Sequence, residues 1–361
     1  MTTFSDPEGP HDRAPGPAPC PYRRPLAPPP QPLGRPRRRL RGHRRTAGEQ
    51  RRRRDPHGAR DRRHPAAVGR GDTRPLRSRT AHHPCGAELQ YVSAVHDGPA
   101  AYAWGLSPGA IVLMVHSGSL SLGHQANATG RHRVRSVWPA GLPMPGNGIL
   151  PFLLDERSEP ARRRYLDAFG NAANFAVGNR FFLALMMRSA LAAACGETSS
   201  RLVYDAPHNL FWAGDGRVVH RKGATPAGGF AESGPYGMWG EPVIVPGSMG
   251  APSYVLRGSG HPRALASACH GAGRRVPRGA SAKAGEEELD AFLWEFRVVT
   301  PLNHRDPGVA RRADVMAAWR RDLKQEAPWA YKDIGPVVSS LRGAGVADPV
   351  VELRPLLTVK G

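Results

Sequence analysis

Ala110-Ile111-Val112-Leu113-Met114-Val115-His116 is a continuous apolar run that ends in a histidine. A run of this length and kind reads as a buried strand that delivers one side chain to a site. Upstream, Ala87-Glu88-Leu89-Gln90-Tyr91-Val92 reads as a second strand. Downstream, Ala161 to Ala194 is long and rich in Ala, Leu and Met, and reads as one or two helices. Tyr204 to Phe211, Arg217 to His220 and Pro242 to Val245 have the look of short strands. Glu286 to Phe296, Val309 to Leu323 and Pro336 to Gly343 read as helices. Strands and helices mix without a regular βαβ period or an internal repeat. The fold class is therefore α+β, with mixed β-structure at its centre.

The 361 residues carry a formal net charge of +21, unevenly spread. Residues 1–80 hold 21 Arg, no Lys, seven acids and 15 Pro, a local excess of +14. The same stretch has only six Leu, Ile, Val or Phe residues, too few to offset its backbone entropy by burial. A disordered Arg/Pro-rich arm over residues 1–85 is expected. Three accounts of it are open: a basic arm that binds nucleic acid electrostatically, a passive tail, or coding sequence read out of frame. No apolar run reaches the roughly 18–20 residues of a membrane span. Met1 to Pro10 lacks the basic-then-apolar layout of a secretory signal. Cys20, Cys85, Cys195 and Cys269 form no CxxC pair and are too sparse for a disulfide scaffold, which points to a reduced, cytoplasmic setting.

Five clusters carry chemistry. In His116-Ser117-Gly118-Ser119-Leu120-Ser121-Leu122-Gly123-His124, small residues let the chain turn and leave the imidazole uncovered. Tyr204-Asp205-Ala206-Pro207-His208-Asn209 offers a metal ligand beside an amide that can orient a phosphate or ribose. Pro246-Gly247-Ser248-Met249-Gly250-Ala251-Pro252-Ser253-Tyr254 is a turn whose N–H groups suit an anion. Cys269-His270-Gly271-Ala272-Gly273-Arg274 allows close approach of a nucleotide, with a guanidinium to grip phosphate. The last is the chain end, Leu353-Arg354-Pro355-Leu356 and Val359-Lys360-Gly361. Singly, each has an ordinary structural explanation. His116 and His208 read as satisfied core histidines, Cys195 and Cys269 as packing, and Lys360 as a frayed end. His124, His220 and His261 are given no role. Taken without any family, His116, His208 and His270 also suit a metal-dependent hydrolase.

In this order, the clusters resemble the RNA-splicing ligase RtcB family, from about Glu88 to Gly361. The resemblance extends through Ala172-Ala173-Asn174-Phe175-Ala176, His220-Arg221-Lys222-Gly223-Ala224-Thr225, Glu326-Ala327-Pro328 and Ala330-Tyr331-Lys332. It implies one catalytic domain over residues 86–361, with β-sheets wrapped by helices. It implies an enzyme that uses GTP and Mn²⁺ to join an RNA 3′-phosphate or 2′,3′-cyclic phosphate to a 5′-hydroxyl through a guanylylated histidine. His270 matches the nucleophile, and His116 and His208 match metal ligands. Glu88, Asn209, Pro246, Gly247, Ser248, Met249, Ser253, Gly271, Ala272, Gly273, Arg274, Tyr331 and Lys360 match nucleotide contacts. RNA and GTP are the implied partners, with an archease-like helper among those the family admits, and no membrane.

The family binds two manganese ions through an Asp, a bridging Cys and three His. Its N-terminal Val-Gly-Val-Asp-Ile-Gly-Cys-Gly string has as its counterpart Val68-Gly69-Arg70-Gly71-Asp72-Thr73-Arg74, with Arg74 at the Cys position and Asp72 one place out of register. Cys85 stands at the third His position and Pro84 at the neighbouring Asn, while His82 and His83 are out of register. Leu120-Ser121 replaces a common Arg-Gly. Barely ten residues separate two strings that the family spaces by about a hundred, a gap that removes whole elements. Residues 1–85 are accordingly expected to be a truncated or out-of-frame remnant. Two lone imidazoles would hold Mn²⁺ weakly. The alternatives to an active ligase are an impaired relative that only binds RNA and a non-functional fragment.

Overall fold

The computed structural model describes residues 2–5, 86–196, 199–214, 216–230, 236–283 and 285–360. All of them belong to the first of two units into which the chain divides, residues 1–14 with 80–361. The expected arm therefore lies outside the described residues, apart from Thr2–Ser5. Those four form a strand, β1, which departs from the expectation of disorder through residue 85.

The elements that follow are β2 (Gly86–Val95), α1 (Gly98–Trp104), β3 (Ile111–His116), α2 (Leu120–Ser136) and α3 (Glu159–Cys195). Next come β4 (Ser199–Leu202), β5 (Asn209–Gly214), β6 (Arg217–Lys222), β7 (Ala224–Pro226), β8 (Pro242–Val245), β9 (Ser253–Gly258) and β10 (Ser267–Cys269). The C-terminal part adds α4 (Arg278–Ser281), α5 (Glu286–Glu295), β11 (Arg297–Val299), α6 (Pro307–Ala310), α7 (Ala313–Glu326), α8 (Ile334–Gly343) and β12 (Ala347–Lys360).

One eight-stranded sheet runs β4-β1-β3-β2-β12-β9-β8, with β11 also paired to β12. Its pairings are antiparallel except for β11 on β12. β2 occupies one edge of β12, so β9 (along Ala347–Leu353) and β11 (along Leu357–Val359) must follow one another on the other edge. β12 is the central strand, which the sequence reading left as a chain end. Its Pro355 lies between register shifts, where a missing N–H costs the ladder least.

Both faces of the sheet are covered, which explains why its strands read as unbroken apolar runs. Val112 and Met114 of β3 join Val92, Val255, Val351 and Leu353 under α1, whose Ala100, Ala101 and Trp104 close that side. Leu113 points the other way and packs with Ala184, Met187 and Leu191 of α3. At the far edge, Val243, Val245 and Leu256 pack on Ile334 and Val338 of α8. A satellite core of Leu289, Trp319 and Leu323 joins α5 and α7. The expected α+β class and helix-wrapped sheet are thus present.

Local differences have local causes. The strand expected over Tyr204–Phe211 begins only at Asn209, because Pro207 lacks an N–H and Asp205 is drawn into a fork with Arg180. The helix expected over Val309–Leu323 is broken at Arg311-Arg312, and Asp306 caps its short first piece through the Gly308 and Val309 N–H groups. Ala161–Ala194 lies within a single 37-residue helix, Glu159–Cys195, and Cys195 at its end is exposed rather than packed. No helix among the described residues is long and apolar enough to cross a membrane.

Candidate active site

Sheet register assembles the first wall of the site. Lys360 of β12 stands opposite Gly86 of β2, and Gly86 stands opposite His116 of β3. Two residues along, Thr358, Glu88 and Met114 form the next rung. Alternate residues share a face, so all six side-chain positions look into one cavity of about 280 Å³. Gly86 leaves room there: a Cβ would come within 3.9 Å of the Lys360 amine.

The opposite wall is the pair of glycine-rich turns. Pro246, Gly247, Ser248 and Met249 follow β8, and His270, Gly271, Ala272, Gly273 and Arg274 follow β10. Gly247 is required by close approach, since a Cβ would sit 2.2 Å from the Pro252 carbonyl oxygen. Lys332 N–H donates to the Gly273 carbonyl at 3.0 Å and Tyr331 bridges Arg274, which brings the Tyr331 ring to the cavity edge. Two expected contacts stand back from it. Ser253 is fully buried, and its hydroxyl accepts from Gln90 Nε2 and from the Gly247 N–H, so it shapes the turn. Asn209 accepts the Gly223 N–H through Oδ1 at 3.1 Å.

Three imidazoles converge where this cavity meets a smaller one: His116 and His270 line both, and His208 the smaller. His116 and His208 share a hydrogen bond between Nε2 atoms at 3.1 Å. The His270 ring stacks on that of His208 at 4.4 Å between centroids and lies edge-on to that of His116 at 6.1 Å. One ring nitrogen from each falls within 4.8 Å of the others. Gly223 couples two of them: its N–H donates to the His208 carbonyl, and its carbonyl accepts the His270 N–H. The His208 Nδ1–H meets the Ala206 carbonyl at 3.3 Å, which leaves Nε2 as the lone-pair nitrogen. Burial, reinforced by the neighbouring rings and by Arg180, holds His116 at about 3 and His208 at about 4. Burial also lowers His270, against a bond to the Gly223 carbonyl that raises it. All three rings are thus neutral at pH 7, and with His208 Nε2 accepting, His116 Nε2 carries the shared proton.

One divalent cation could be held by these three only after the shared proton leaves and the rings close in, since nitrogen ligands at about 2.0–2.1 Å lie within roughly 4.2 Å of one another, against 4.8 Å here. Among the described residues no second group of three such ligands is present. Imidazole suits zinc, copper, iron and nickel, whereas manganese favours oxygen ligands, which these three side chains do not supply.

The far end of the cavity is polar. Glu326 accepts the Tyr331 hydroxyl and faces Arg278, Arg274 and Lys360 at 3.5–3.7 Å. Burial pushes the Glu88 carboxyl up, while Thr358 and Gln90 donate to its two oxygens at 2.8 and 2.7 Å. Cations thus outnumber ionised acids around this end, which suits an anionic ligand. The Arg274 guanidinium is held by the protein itself. It donates to the Gln325 and Val276 carbonyls and to Ser281, and it stacks on Tyr331 at 5.0 Å. Arg278 and Glu326 were given no role in the sequence reading. Glu326 stood in a matched string, but only the fold shows that it meets Lys360.

The expected residues therefore fall into one neighbourhood, although 154 positions separate His116 from His270. Comparison with known proteins agrees. The chain is 36% identical over 295 residues to the tRNA-splicing ligase RtcB of Pyrococcus furiosus, covering 76% of this chain and 28% of that protein. It is 35% identical over 294 residues to the tRNA-splicing ligase RtcB of Thermococcus kodakarensis, again 76% of the chain and 57% of the relative. With the RNA-splicing ligase RtcB of Mycobacterium tuberculosis it shares 34% over 288 residues, 76% of the chain and 62% of the relative. The chain thus spans less than two thirds of the length of these relatives. The family model for tRNA-splicing ligase RtcB matches residues 86–361, and the chain belongs to that family.

Proposed function

We propose that residues 86–361 form the nucleotide-binding and catalytic part of an RNA ligase, which joins 3′-phosphate or 2′,3′-cyclic phosphate ends to 5′-hydroxyl ends with GTP and Mn²⁺. The observation that carries this is the position of His270: its neutral ring stands beside two further imidazoles and lines a cavity walled by glycine turns.

The neutral His270 ring offers a lone pair near pH 7. Its nitrogen bonds to the α-phosphorus of GTP while the bond to the departing pyrophosphate breaks. His116 and His208 would hold a divalent cation, which when bound draws charge from the phosphoryl oxygens. The 246–249 and 271–273 turns present backbone to the phosphates without side chains in the way. Glu88, Tyr331 and Lys360 face the base end, with Ser253 shaping the turn and Arg274 holding Tyr331. Asn209 fixes Gly223, and through it His208 and His270.

Incubation of the full chain with α-labelled GTP and Mn²⁺ tests the proposal. Covalent label that resists denaturation, is released by acid and disappears in His270→Ala is expected. Ligation of a 3′-phosphate RNA to a 5′-hydroxyl RNA should disappear in the same variant. Label that survives in His270→Ala refutes the assignment.

A further inference from the structure

We propose that Arg180, which none of the sequence motifs singled out, is the positioning residue that sets the spacing of His116 and His208. The inference rests on the assignment of these imidazoles as metal ligands.

His116 ends β3, whereas His208 closes the irregular stretch between β4 and β5. β3 is linked through β1 to β4, and Val203 packs in the core with Val112 and Met114, but no strand pairing reaches from β3 to residues 204–208. Side chains must hold the 3.1 Å approach of the two rings. Arg180 sits on α3, against which β3 packs, and its side chain is 15% exposed. Its Nε and Nη2 fork both oxygens of Asp205, at 2.5 and 2.7 Å, three residues before His208. Its Nη1 donates to the Ser117 carbonyl at 3.1 Å, one residue after His116. One planar group thus joins the two ligand-bearing segments, in a geometry a lysine cannot reproduce. The preceding Asn179 adds a second hold on the same turn, donating to Ser117 Oγ at 2.8 Å and to the Gly118 carbonyl at 3.1 Å. Arg180 and Asp205 also line a small cavity of about 50 Å³ together with all three histidines.

Two readouts on the full chain test this. In the chelator-treated protein, selective histidine labelling should show a slowly exchanging proton shared by His116 and His208, assigned by its loss in His116→Gln and in His208→Gln. Arg180→Lys and Asp205→Asn should each abolish that resonance while the thermal midpoint still shows a folded protein. Free Mn²⁺ titrated by electron paramagnetic resonance should bind about 10- to 100-fold more weakly to both variants than to the parent, as for other groups that orient ligands. A resonance unchanged in both folded variants overturns the proposal, as does its absence from the parent. If the parent shows the Arg180-dependent resonance but binds no Mn²⁺, the clamp stands and the metal assignment fails.

Discussion

Acid should destabilise this protein through its own active site. His116 and His208 are held at about 3 and about 4, chiefly by burial, while the unfolded chain titrates them near the ordinary 6.5. The sign follows from proton counts. Below about pH 6.5 the unfolded chain takes up a proton on each ring and the folded site does not, so stability falls with pH. The full benefit is present above that range. It declines until the folded site itself protonates, near 4 for His208 and 3 for His116. Between pH 7 and pH 5 each ring contributes a loss of about 2 kcal/mol, and the pair about 4 kcal/mol. That is an upper figure, because both rings keep some contact with water. Against a typical total of roughly 5–15 kcal/mol it is a large share.

The assay is urea unfolding of the chelator-treated full chain at pH 7 and pH 5, followed by tryptophan fluorescence. The reference is the double variant His116→Gln, His208→Gln. Carboxylates and the remaining histidines titrate alike in both proteins and cancel in the comparison. The parent should lose about 4 kcal/mol more than the double variant over this interval. Equal losses would mean that the two rings are not held neutral by the fold, and the account of the site as a set of neutral imidazoles would be wrong.

Three substitutions probe the cavity walls. Glu88→Gln sets an amide N–H₂ against Thr358 and Gln90, both of which now donate to the carboxyl group; a loss of about 1–3 kcal/mol in denaturant unfolding is expected, with weaker GTP binding by calorimetry. Gly247→Ala forces a Cβ to within 2.2 Å of a backbone oxygen, so the turn must move, and GTP affinity should fall at least tenfold with a lowered melting temperature. Gly223→Ala strains a backbone held at φ +67°, while its Cβ meets the His270 ring at an ordinary 3.5 Å; by shifting the residue that bonds both His208 and His270 it should cost about 1 kcal/mol of stability and slow covalent labelling more than it weakens GTP binding.

Much of the site was legible in the sequence because its chemistry sits on short contiguous strings. His116 ends an apolar run, and His270 stands among glycines whose freedom a nucleotide needs, so residue type and neighbours sufficed to nominate both. Pro242–Val245 was legible for a similar reason: four buried residues with both faces covered leave a plain signature. What could not be read was whatever depends on pairing across the chain. Lys360 looks like a frayed end until β12 is known to run between β2 and β9 and to place its amine opposite Gly86. Arg180 looks like any cation on a long amphipathic helix, and only its fork to Asp205 gives it a role.

The same register places Lys360 on the cavity wall. Lys360, Gly86 and His116 lie on one rung, and Thr358, Glu88 and Met114 on the next. A one-residue slip of β12 against β2 would turn Thr358 and Lys360 to the opposite face. The cavity would then lose a cation beside Glu326 and the donor to Glu88 in one step. The slip is opposed by Leu353, which is fully buried under α1 between Glu352 and Arg354 and cannot exchange places with either. The extra residue between Pro355 and Leu357 then carries the face of Leu353 on to Thr358 and Lys360 at the cavity wall.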